Sequence, residues 1–464
     1  MFIGRIFMST NLDNMRYKHV LVVGMGRSGV AAAQALVKLG AVVYIQDSQK
    51  EEDVSAQVVS VIRNLGVKCF FGCVPPDMSL FDMIVLSPGV SPELDFVQEA
   101  KAAGAEITGE LEIAYRIGKG NYVAITGTNG KTTTTTLTGR IFEAAGRKTH
   151  IVGNIGVAVI SASINAEEND WLVTETSSFQ LETTKYFKPQ VAAILNLTPD
   201  HLNRHHTMEA YGNAKAKIFQ NQSPDGYSVV NYDDKACFAL AEKSKARIVP
   251  FSRREELDFG AFVKDGKIVI KDDSETVEIC SLSDIRIIGD HNVENVLAAA
   301  AVSYFSGIPA DIIRKAVSEF NGVEHRIEYS GTVDGVNYYN DSKGTNIDAA
   351  VTALKAIKKN IILIAGGDAK GQVFDEFISE FNGSVKKLVL LGRDAHFIQE
   401  ACDRAGFTEY VKCKNMDECV KYAHDIAKEG DTVLLSPACA SWDMYDNYEQ
   451  RGDHFKECVA RLEA

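Results

Sequence analysis

A strand, a glycine or polar turn and a helix follow one another repeatedly along this 464-residue chain, and this order constrains the fold most. Such alternation is typical of α/β domains, in which helices cover mainly parallel sheets. The apolar, β-branched runs that predict strands fall into three groups, at 19–24, 41–47 and 82–87, at 122–126, 171–176 and 191–197, and at 360–368, 386–392 and 432–436. We therefore predict three α/β domains, each built on its own sheet.

Two glycines mark the predicted domain boundaries. Gly109 precedes the helical stretch that leads into a glycine-containing loop, and Gly322 follows the helical pattern DIIRKAVSEF. Alternating runs between 226 and 290 predict a β-rich insertion with hairpin turns. At roughly 150 residues per domain the length suits about three domains. The predicted domains span 1–109, 110–322 and 323–464.

The amino-terminal residues 1–16 are predicted to be a flexible extension, or translation starts at Met8 or Met15. They lack the long apolar core and the small-residue cleavage site of a secretory signal. No apolar run along the chain reaches the roughly 18 residues that a membrane span requires. The sequence therefore predicts no secretory signal and no membrane span.

Charge and cysteine content narrow the partners and the compartment. The net charge of −13 argues against a general nucleic-acid binder and against a membrane-surface protein, since both need a cationic face. Nine cysteines are scattered without paired zinc-type spacing, which suits a reducing cytoplasm. We expect a cytoplasmic protein whose anionic ligands are bound locally, by loops and helix ends.

The sequence YVAITGTNGKTT at 122–133 predicts a strand, a phosphate-binding loop and the start of a helix. Backbone N–H groups at such a junction point at a bound anion, and the helix dipole adds to the attraction. Lys131 would contact the β- and γ-phosphates of ATP, and the Thr132 hydroxyl would contact Mg²⁺. The loop departs from the general phosphate-loop pattern, because Ile125 stands where that pattern has its first glycine. A chance glycine turn is the alternative interpretation.

Polar residues after the next two strands extend this prediction. Glu175 ends the strand WLVTET, at a position where phosphate-loop enzymes commonly place a carboxylate that holds Mg²⁺. The third strand leads into NLTPDHLNRHH at 196–206, which carries three histidines. We favour one functional histidine, His201, beside two ordinary surface residues over a zinc-binding trio. The following helix carries Lys215 and Lys217. An alternative to a functional role is that these lysines form an ordinary solvated basic face of the helix.

A second glycine motif lies near the amino terminus. Gly24, Gly26 and Gly29 follow the G-x-G-x-x-G order between a strand and a helix, and Asp47 ends the next strand. This pattern is typical of a loop that admits the pyrophosphate of a dinucleotide or of another nucleoside diphosphate. A dehydrogenase would not need the ATP loop, and a simple ATPase would not need this one. The presence of both glycine motifs favours an enzyme that uses ATP and takes a nucleotide-linked substrate.

Together these motifs identify the chain as resembling the Mur ligase family of cell-wall amino-acid ligases, from about Lys18 to the carboxyl terminus. The motifs that carry the resemblance are TGTNGKTT (126–133), ETSSFQLE (175–182), NLTPDH (196–201), GDHNVENVLAA (289–299), EHRIE (324–328) and NDSKGTN (340–346). Two further stretches are similar to the D-glutamate-adding branch of the family, GGDAKGQVF (366–374) and LLSPACASWDMYDNYEQRGDHF (434–455).

The resemblance implies a fold and a reaction. It implies a Rossmann-like first domain that binds a UDP-linked substrate, a central phosphate-loop domain that binds ATP, and a Rossmann-like last domain that binds the amino acid. ATP would phosphorylate the carboxylate of UDP-N-acetylmuramoyl-L-alanine, and the amine of D-glutamate would attack the acyl phosphate. A tetrahedral intermediate would then collapse to the amide. The family also implies a monomer.

The resemblance further assigns residues to ATP and to metal. The implied ATP contacts are Gly127, Thr128, Asn129, Gly130, Lys131, Thr132, Thr133, Asn292, Asn295, Arg326 and Asp341. Two Mg²⁺ ions are implied, and the residues near them are Thr132, Glu175, His201 and Lys215. Lys215 matches a lysine that the family carbamylates, with Lys217 as its nearby rival. The implied catalytic residues are Lys131, His201 and Lys215.

The two substrates receive their residues in the same way. The implied contacts of the UDP-linked substrate are Gly26, Arg27, Ser28, Asp47, Ser48, Gly89 and Asn154. The implied D-glutamate contacts are Lys343, Thr345, Lys370, Ser441 and Tyr448. The chain departs from common family members at two positions, since Gln49 replaces an arginine of some relatives and Tyr448 replaces a phenylalanine.

Other interpretations stay open at this stage. An alternative interpretation of Asp341 and Asn292 is that each caps a helix, and an alternative interpretation of Ser441 is that it is a turn residue. Cys439 is interpreted as a small packing residue, because the implied chemistry needs no thiol nucleophile. The whole chain could instead be a family member that adds another amino acid, or a non-catalytic sensor that binds NAD through the first glycine motif.

Overall fold

The computed structural model of the chain describes residues 15–462, which form three α/β sheets flanked by helices. Every strand predicted from the apolar runs is present within two or three residues of its predicted ends, so the predicted fold class is confirmed. The predicted amino-terminal extension lies outside the described residues except for Met15 and Arg16, and the Met15 side chain is buried.

The first sheet is entirely parallel, in the order β3-β2-β1-β4-β5. Its strands are β1 (His19–Val23), β2 (Val42–Asp47), β3 (Lys68–Phe71), β4 (Met83–Leu86) and β5 (Glu106–Gly109). Its helices are α1 (Arg27–Lys38), α2 (Ala56–Asn64), α3 (Asp95–Ala102) and α4 (Glu110–Ile117). The strand order reverses between β1 and β4, and ligands of open parallel sheets bind in the crevice at such a point.

The second sheet has nine strands in the order β14-β13-β12-β11-β10-β9-β6-β8-β7. The strands are β6 (Asn121–Thr126), β7 (Thr149–Gly153), β8 (Trp171–Glu175), β9 (Val191–Ile194), β10 (Tyr227–Asn231), β11 (Arg247–Ser252), β12 (Gly260–Lys264), β13 (Lys267–Lys271) and β14 (Thr276–Ser281). Pairing is parallel as far as β12, and β12, β13 and β14 form antiparallel hairpins. The β-rich insertion predicted at 226–290 is therefore confirmed.

Helices cover the second sheet and connect its strands. They are α5 (Lys131–Ala144), α6 (Val159–Ser163), α7 (Ser178–Glu182), α8 (Leu202–His205), α9 (Met208–Ala216), α10 (Lys235–Ala239), α11 (Asp290–Phe305) and α12 (Ala310–Glu319). Because β6, β8 and β9 are neighbours and parallel, their carboxyl ends place residues 127, 175 and 196 at one edge of the sheet.

The third sheet has six strands in the order β15-β16-β20-β17-β18-β19, and only the β15–β16 pair is antiparallel. Its strands are β15 (Glu328–Val333), β16 (Val336–Asn340), β17 (Ile361–Ala365), β18 (Val385–Leu390), β19 (Tyr410–Lys412) and β20 (Thr432–Leu435). Its helices are α13 (Ile347–Ile357), α14 (Asp375–Ser379), α15 (Ala395–Ala405), α16 (Met416–Ile426) and α17 (Tyr448–Ala460).

The described residues group into two compact units. The first holds the first two sheets and takes in the chain up to Leu282 together with Val293–Val317. The second holds the third sheet, with Ser283–Asn292 and the chain from Ser318 onward. The boundaries at Gly109 and Gly322 stay predictions. Among the described residues, no helix combines the length and the apolar character that crossing a membrane demands.

Candidate active site

The predicted phosphate loop leaves the buried strand β6 and turns into helix α5 at a left-handed residue. Gly130 has φ +80°, which L side chains rarely adopt. A Cβ atom on Gly130 would also lie 2.1 Å from Oδ1 of the buried Asn295. The same Oδ1 accepts a hydrogen bond from the Thr134 hydroxyl at 3.3 Å. Asn295, predicted as an ATP contact, therefore lies directly behind the loop and fixes the start of the helix.

The loop is held by a residue that the sequence analysis did not assign. The Asn196 Oδ1 atom accepts hydrogen bonds from the backbone N–H groups of Thr128 (3.0 Å) and Asn129 (2.8 Å). The Asn196 amide in turn donates to the Asn129 carbonyl at 3.1 Å. Asn196 belongs to the NLTPDH motif and follows the end of β9. Its place after a strand next to β6 is the signal that could have identified it.

Two lysines approach the loop carbonyls. Lys131 Nζ donates to the Gly127 and Thr128 carbonyls at 3.0 and 2.7 Å. Lys215 Nζ donates to the same Gly127 carbonyl at 2.7 Å, and it lies 4.5 Å from the centroid of the Tyr211 ring. The structure therefore brings two of the three predicted catalytic residues together at one carbonyl.

Burial changes the acidity of Lys215. The side chain is 1% exposed, and burial, with a smaller contribution from the charge of Lys131, lowers the pKa of Lys215 to about 7. A substantial fraction of Lys215 is then a neutral amine near neutral pH. Lys217 points elsewhere, since its Nζ donates to the Glu182 carbonyl at 2.5 Å. Of the two lysines, Lys215 is therefore the one that contacts the phosphate loop.

Glu175 ends β8 with a carboxylate that is 1% exposed. One carboxylate oxygen, Oε1, accepts a hydrogen bond from the Asn154 amide at 2.7 Å. The other, Oε2, is buried without a hydrogen-bond partner among the described residues. A buried carboxylate oxygen without a donor is costly unless a cation or a proton completes it. Glu175 thus has the chemistry of a Mg²⁺ ligand, and Asn154 orients it.

The three histidines of the NLTPDHLNRHH segment differ in their surroundings. His201 is exposed, has a left-handed φ of +52°, and lies 3.3 Å from the Asp200 carboxylate. His206 is also exposed. His205 is buried, and its Nε2 atom is 3.0 Å from the Ser178 hydroxyl. The prediction that His205 is an ordinary surface residue is therefore wrong, because its ring packs on Phe179.

A cavity of about 390 Å³ lies beside His201. Gly89, a predicted contact of the UDP-linked substrate, lines this cavity together with His201 and Phe179. Arg204 also lines it, and its guanidinium donates to the Val90 carbonyl at 3.0 Å and to the Glu182 carboxylate at 2.8 Å. The cavity therefore joins the first sheet's loop to the histidine segment of the second sheet.

The three glycines of the amino-terminal motif have different steric roles. A Cβ atom on Gly24 would lie 2.7 Å from the Ser87 hydroxyl oxygen, and one on Gly29 would lie 1.9 Å from the Gly24 carbonyl oxygen. Both positions therefore demand glycine for close packing. A Cβ atom on Gly26 would meet nothing within 4 Å, so this glycine faces open space. Gly26 is the member of the motif that leaves room for a ligand.

The remaining predicted residues of the UDP pocket gather at the carboxyl edge of the first sheet. Asp47 accepts hydrogen bonds from the Met25 N–H (2.7 Å) and the Gln49 N–H (2.9 Å), so its carboxylate already holds the loop. Arg27 donates to the Gly153 and Gly156 carbonyls and to the Asn154 carbonyl. Ser28 is partly exposed and Ser48 is exposed.

In the second unit, Asp341 is a buried acid. Its Oδ2 accepts a hydrogen bond from the Ser436 hydroxyl at 2.6 Å, and its Oδ1 accepts a weaker one from the Ile327 N–H at 3.3 Å. Burial raises the pKa of Asp341 to about 7, although the Ser436 bond and the charge of Arg326 act in the opposite direction. Asp341 does not cap helix α13, because Asn346 does so.

Asn292 belongs to the second unit and does not act as a side-chain N-cap. Its amide donates to the Ile288 carbonyl at 2.6 Å, and it lies inside α11, which begins at Asp290. Cys439 is fully buried in the third sheet's core, and burial raises the pKa of its thiol to about 12. This environment agrees with a packing residue.

Four of the predicted D-glutamate residues lie on loops after β16, β17 and β20, and the fifth, Tyr448, is the first residue of α17. Lys343 Nζ lies 5.6 Å from the centroid of the Tyr448 ring, and Lys370 Nζ lies 4.2 Å from that of Trp442. Thr345 is partly exposed. Ser441 is buried, and its carbonyl accepts hydrogen bonds from residues 444 and 445, as a turn residue does.

Arg451 is a buried cation that the sequence analysis did not single out. The residue is 2% exposed, and its guanidinium donates to the Ser342 hydroxyl (3.0 Å), the Ser342 carbonyl (2.9 Å) and the Cys439 carbonyl (3.1 Å). It ties together two of the loops that carry the predicted D-glutamate residues. Its position on the buried face of α17, four residues before Phe455, is the signal that could have identified it.

Comparison with protein families gives three matches along the chain. They are the Mur ligase MurD-like N-terminal domain at residues 18–109, the Mur ligase middle domain at 125–303, and the Mur ligase glutamate ligase domain at 325–439. These spans cover most of the chain and follow the order of the three sheets.

Curated relatives match over nearly the whole length. A protein of Alkaliphilus oremlandii named UDP-N-acetylmuramoylalanine--D-glutamate ligase is 50% identical over 455 residues, which cover 97% of this chain and 99% of that protein. A protein of Clostridioides difficile with the same name is 43% identical over 451 residues, covering 97% of this chain and all of that protein.

Solved structures share the fold at low identity. A UDP-N-acetylmuramate-alanine ligase of Thermotoga maritima is 18% identical, with a TM-score of 0.55 over 96% of this chain and 100% of that one. A UDP-N-acetylmuramoyl-L-alanyl-D-glutamate--2,6-diaminopimelate ligase is 16% identical, with a TM-score of 0.55 over 91% and 87% of the two chains. They confirm the three-domain α/β architecture.

Proposed function

Because this chain belongs to the Mur ligase family, we propose that it joins D-glutamate to UDP-N-acetylmuramoyl-L-alanine with ATP, in the synthesis of peptidoglycan precursors. The observation that carries the choice of substrates is the identity of 43–50% to relatives named for this reaction, over 97% of the chain. The phosphate loop, with Lys131 at its helix start, supports the use of ATP.

The loop residues would bind the ATP phosphates. The backbone N–H groups from Gly127 to Thr133 surround the start of α5, where the helix dipole favours an anion. The ammonium of Lys131 donates to loop carbonyls at 2.7–3.0 Å and would turn toward the phosphates when ATP binds. Asn196 keeps the loop in place during this change, because it holds the backbone and not the lysine.

The residues present fit Mg²⁺. Glu175 offers the buried, partnerless Oε2 atom, and Thr132 offers a hydroxyl at the start of α5. Both are hard oxygen ligands of the type that Mg²⁺ prefers. Bound Mg²⁺ offsets the negative charge that phosphoryl transfer concentrates.

A second Mg²⁺ ion and a carbamylated Lys215 belong to the same proposal. The neutral amine of Lys215 would attack CO₂, so that an N–C bond forms, one proton leaves to solvent and a carbamate anion results. His201 and Lys215 both flank Tyr211, with ring centroids of His201 and Tyr211 6.4 Å apart. A carbamate oxygen and the His201 imidazole would then hold the second ion. ¹³C-bicarbonate should give a carbamate resonance in the wild type that Lys215→Met lacks.

The residues proposed to bind the two substrates would either supply positive charge or leave room for the ligand. Gly26 leaves room for the pyrophosphate of the UDP group, and Gly89 opens onto the cavity beside His201. Lys343 and Lys370 would contact the carboxylates of D-glutamate. Arg451 would act as a positioning residue, since it holds the loops and does not itself face solvent.

We further propose that the enzyme acts as a monomer in the cytoplasm, with neither nucleic acid nor membrane as a partner. The net charge of −13 supports the last two points, because both polyanions and anionic lipid surfaces would repel such a chain. Size-exclusion chromatography with light scattering should give about one chain mass, and a stable dimer would contradict the monomer.

Phosphate release from ATP tests the function directly. Release should require both UDP-N-acetylmuramoyl-L-alanine and D-glutamate, and Lys131→Ala should reduce turnover by at least about a hundredfold, as expected for loss of a cation from a transition-state site. Lys119→Ala, at an exposed position of the same unit, is the matched control. Equal ATP hydrolysis without either substrate would contradict the proposal. Faster turnover with L-lysine, diaminopimelate or L-glutamate would assign a different amino acid.

A further inference from the structure

Three side chains of the second unit bring different metal-ligand atoms together. The Nε2 atom of His454 lies 3.1 Å from Oδ2 of Asp417, and Sγ of Cys458 lies 3.6 Å from Oδ1 of the same carboxylate. All three ligand atoms lie within 4.8 Å of one another. Within residues 15–462, no other group of three His, Cys, Asp or Glu side chains is this compact. None of the three residues belongs to the proposed active site.

The fold builds this cluster from two helices. His454 and Cys458 are four residues apart on α17, so they share one face of that helix. Asp417 stands in the first turn of α16, which packs against α17. The Tyr445 hydroxyl lies 3.0 Å from Nδ1 of His454 and so fixes the ring with Nε2 toward Asp417. A partner on the second nitrogen is the arrangement that metal-binding histidines commonly have.

A cationic side chain already occupies the position between the ligands. The Arg461 guanidinium donates to Oδ1 of Asp417 at 2.6 Å and to Sγ of Cys458 at 3.1 Å. Its side chain is 60% exposed, close to the end of the described chain. Ion pairs this exposed contribute little to stability, so Arg461 is a cation that can be displaced into water. Asp417 and His454 are partly exposed as well, which gives an ion a route from solvent.

We propose that Asp417, His454 and Cys458 bind one Zn²⁺ ion, with water as the fourth ligand. Zinc bonds to imidazole nitrogen, thiolate sulfur and carboxylate oxygen are about 2.0–2.3 Å long, so tetrahedral ligands lie roughly 3.3–3.8 Å apart. The Asp417 carboxylate lies 3.1 Å from the His454 nitrogen and 3.6 Å from the Cys458 sulfur, which is near that range. On binding, the Cys458 thiol gives its proton to solvent as the S–Zn bond forms, and the Arg461 guanidinium moves into water. Nε2 of His454 gives to solvent the proton that it shares with Asp417 as the N–Zn bond forms, Nδ1 takes one proton from solvent, and the resulting Nδ1–H donates a hydrogen bond to the Tyr445 oxygen.

The zinc ion would connect α16 to α17 and would take no part in the amide-forming reaction. Helix α17 begins at Tyr448, a proposed D-glutamate contact, and carries the buried Arg451 one turn later. Zinc bound at the far end of the same helix therefore stabilises the domain that holds the amino-acid residues. The Cys458 thiolate distinguishes this site from the proposed Mg²⁺ sites, because hard cations prefer oxygen ligands to sulfur.

Cobalt titration of the full-length, metal-free protein tests the proposal. Co²⁺ takes the place of zinc in such sites and reports a sulfur ligand by a near-ultraviolet thiolate-to-cobalt absorption band. We expect the band in the wild type at one Co²⁺ per chain, and its reversal by one equivalent of Zn²⁺. Co²⁺ at the oxygen ligands of the ATP site gives no such band. Absence of the band in the wild type overturns the proposal.

Variants assign the ligands. Cys458→Ser should lose the band, and Cys413→Ser, at a partly exposed cysteine of the same unit, should keep it. His454→Ala should weaken Zn²⁺ binding by at least about tenfold, a readout that does not depend on the buried cysteine. Arg461→Ala removes the competing cation and should bind Zn²⁺ at least as tightly as the wild type. Loss of the band in Cys413→Ser, or its persistence in Cys458→Ser, overturns the assignment.

Discussion

The two glycine loops of the first unit share a strand–loop–helix order but differ in how many side chains from elsewhere in the chain hold them. In the loop after β1, side chains on Gly24 or Gly29 would collide with Ser87 or with the loop backbone, and Asp47 accepts a hydrogen bond from the Met25 N–H. The loop after β6 is held by side chains from elsewhere, with Asn196 across its backbone N–H groups and Lys215 on its first carbonyl.

This difference has a chemical reason. In the proposed function the first loop admits a substrate that leaves as part of the product, and the open space at Gly26 suits that role. The second must move a phosphoryl group, so it needs charges in fixed positions, and packed side chains help to provide them. Lys215 and Glu175, which lie beside the second loop, are buried groups whose desolvation carries an energetic cost.

The largest expected effect concerns the glycines of the first loop. Gly29→Ala should lower the free energy of unfolding by about 3 kcal/mol, because its Cβ would lie 1.9 Å from the Gly24 carbonyl oxygen and the backbone would have to move. Urea denaturation of the wild type and of Gly29→Ala measures the difference in the free energy of unfolding.

Gly26→Ala is the matched control for this loss of stability. Its Cβ meets nothing within 4 Å, so stability should stay within about 0.5 kcal/mol of the wild type. The KM for UDP-N-acetylmuramoyl-L-alanine should rise instead, since the methyl group enters the proposed pyrophosphate space. Equal destabilisation by both substitutions would contradict the conclusion that Gly29 is needed for packing and that Gly26 faces open space.

The sequence predicted one half of this comparison better than the other. Glycine spacing marks both loops, because steric needs are local, and β-branched runs mark the strands for the same reason. The brace at Asn196, 67 residues from Asn129, depends on which strands become neighbours, which spacing does not reveal. The same holds for His205, which looked exposed in NLTPDHLNRHH and is buried on Phe179. The resemblance supplied Lys215, whereas its burial required the structure.

The second expected effect concerns Lys215 and pH. The pKa of Lys215 is lowered to about 7 in the folded state, below its value in the unfolded chain. Below about pH 7 both states carry the proton, so the full cost of the buried charge remains. Between about pH 7 and pH 10 the unfolded chain binds more protons, and stability therefore rises with pH. In CO₂-free buffer the contribution from Lys215 should grow by about 2 kcal/mol from pH 7 to pH 9.

Lys215→Met isolates this contribution, since methionine has a similar length and no charge. The variant should be more stable than the wild type near pH 7, and the advantage should shrink toward pH 9 in urea denaturation. Lys217→Met is the control on the same chain segment, and its less buried ammonium should contribute less. If Lys217→Met removed as much pH dependence as Lys215→Met, the burial of Lys215 would not be its cause.

The smallest expected effect removes the brace of the second loop and leaves its charges in place. Asn196→Ala deletes two hydrogen bonds from the backbone of Thr128 and Asn129 and one to the Asn129 carbonyl, so the loop must be ordered by ATP itself. The KM for ATP should rise by about tenfold, or roughly 1.4 kcal/mol, with a smaller change in kcat, because Lys131 remains. Asn121→Ala, at the opposite end of β6, should leave the KM for ATP unchanged. A loss confined to kcat would mean that Asn196 acts on the transferred phosphoryl group, and its interpretation as a brace of the second loop would then fail.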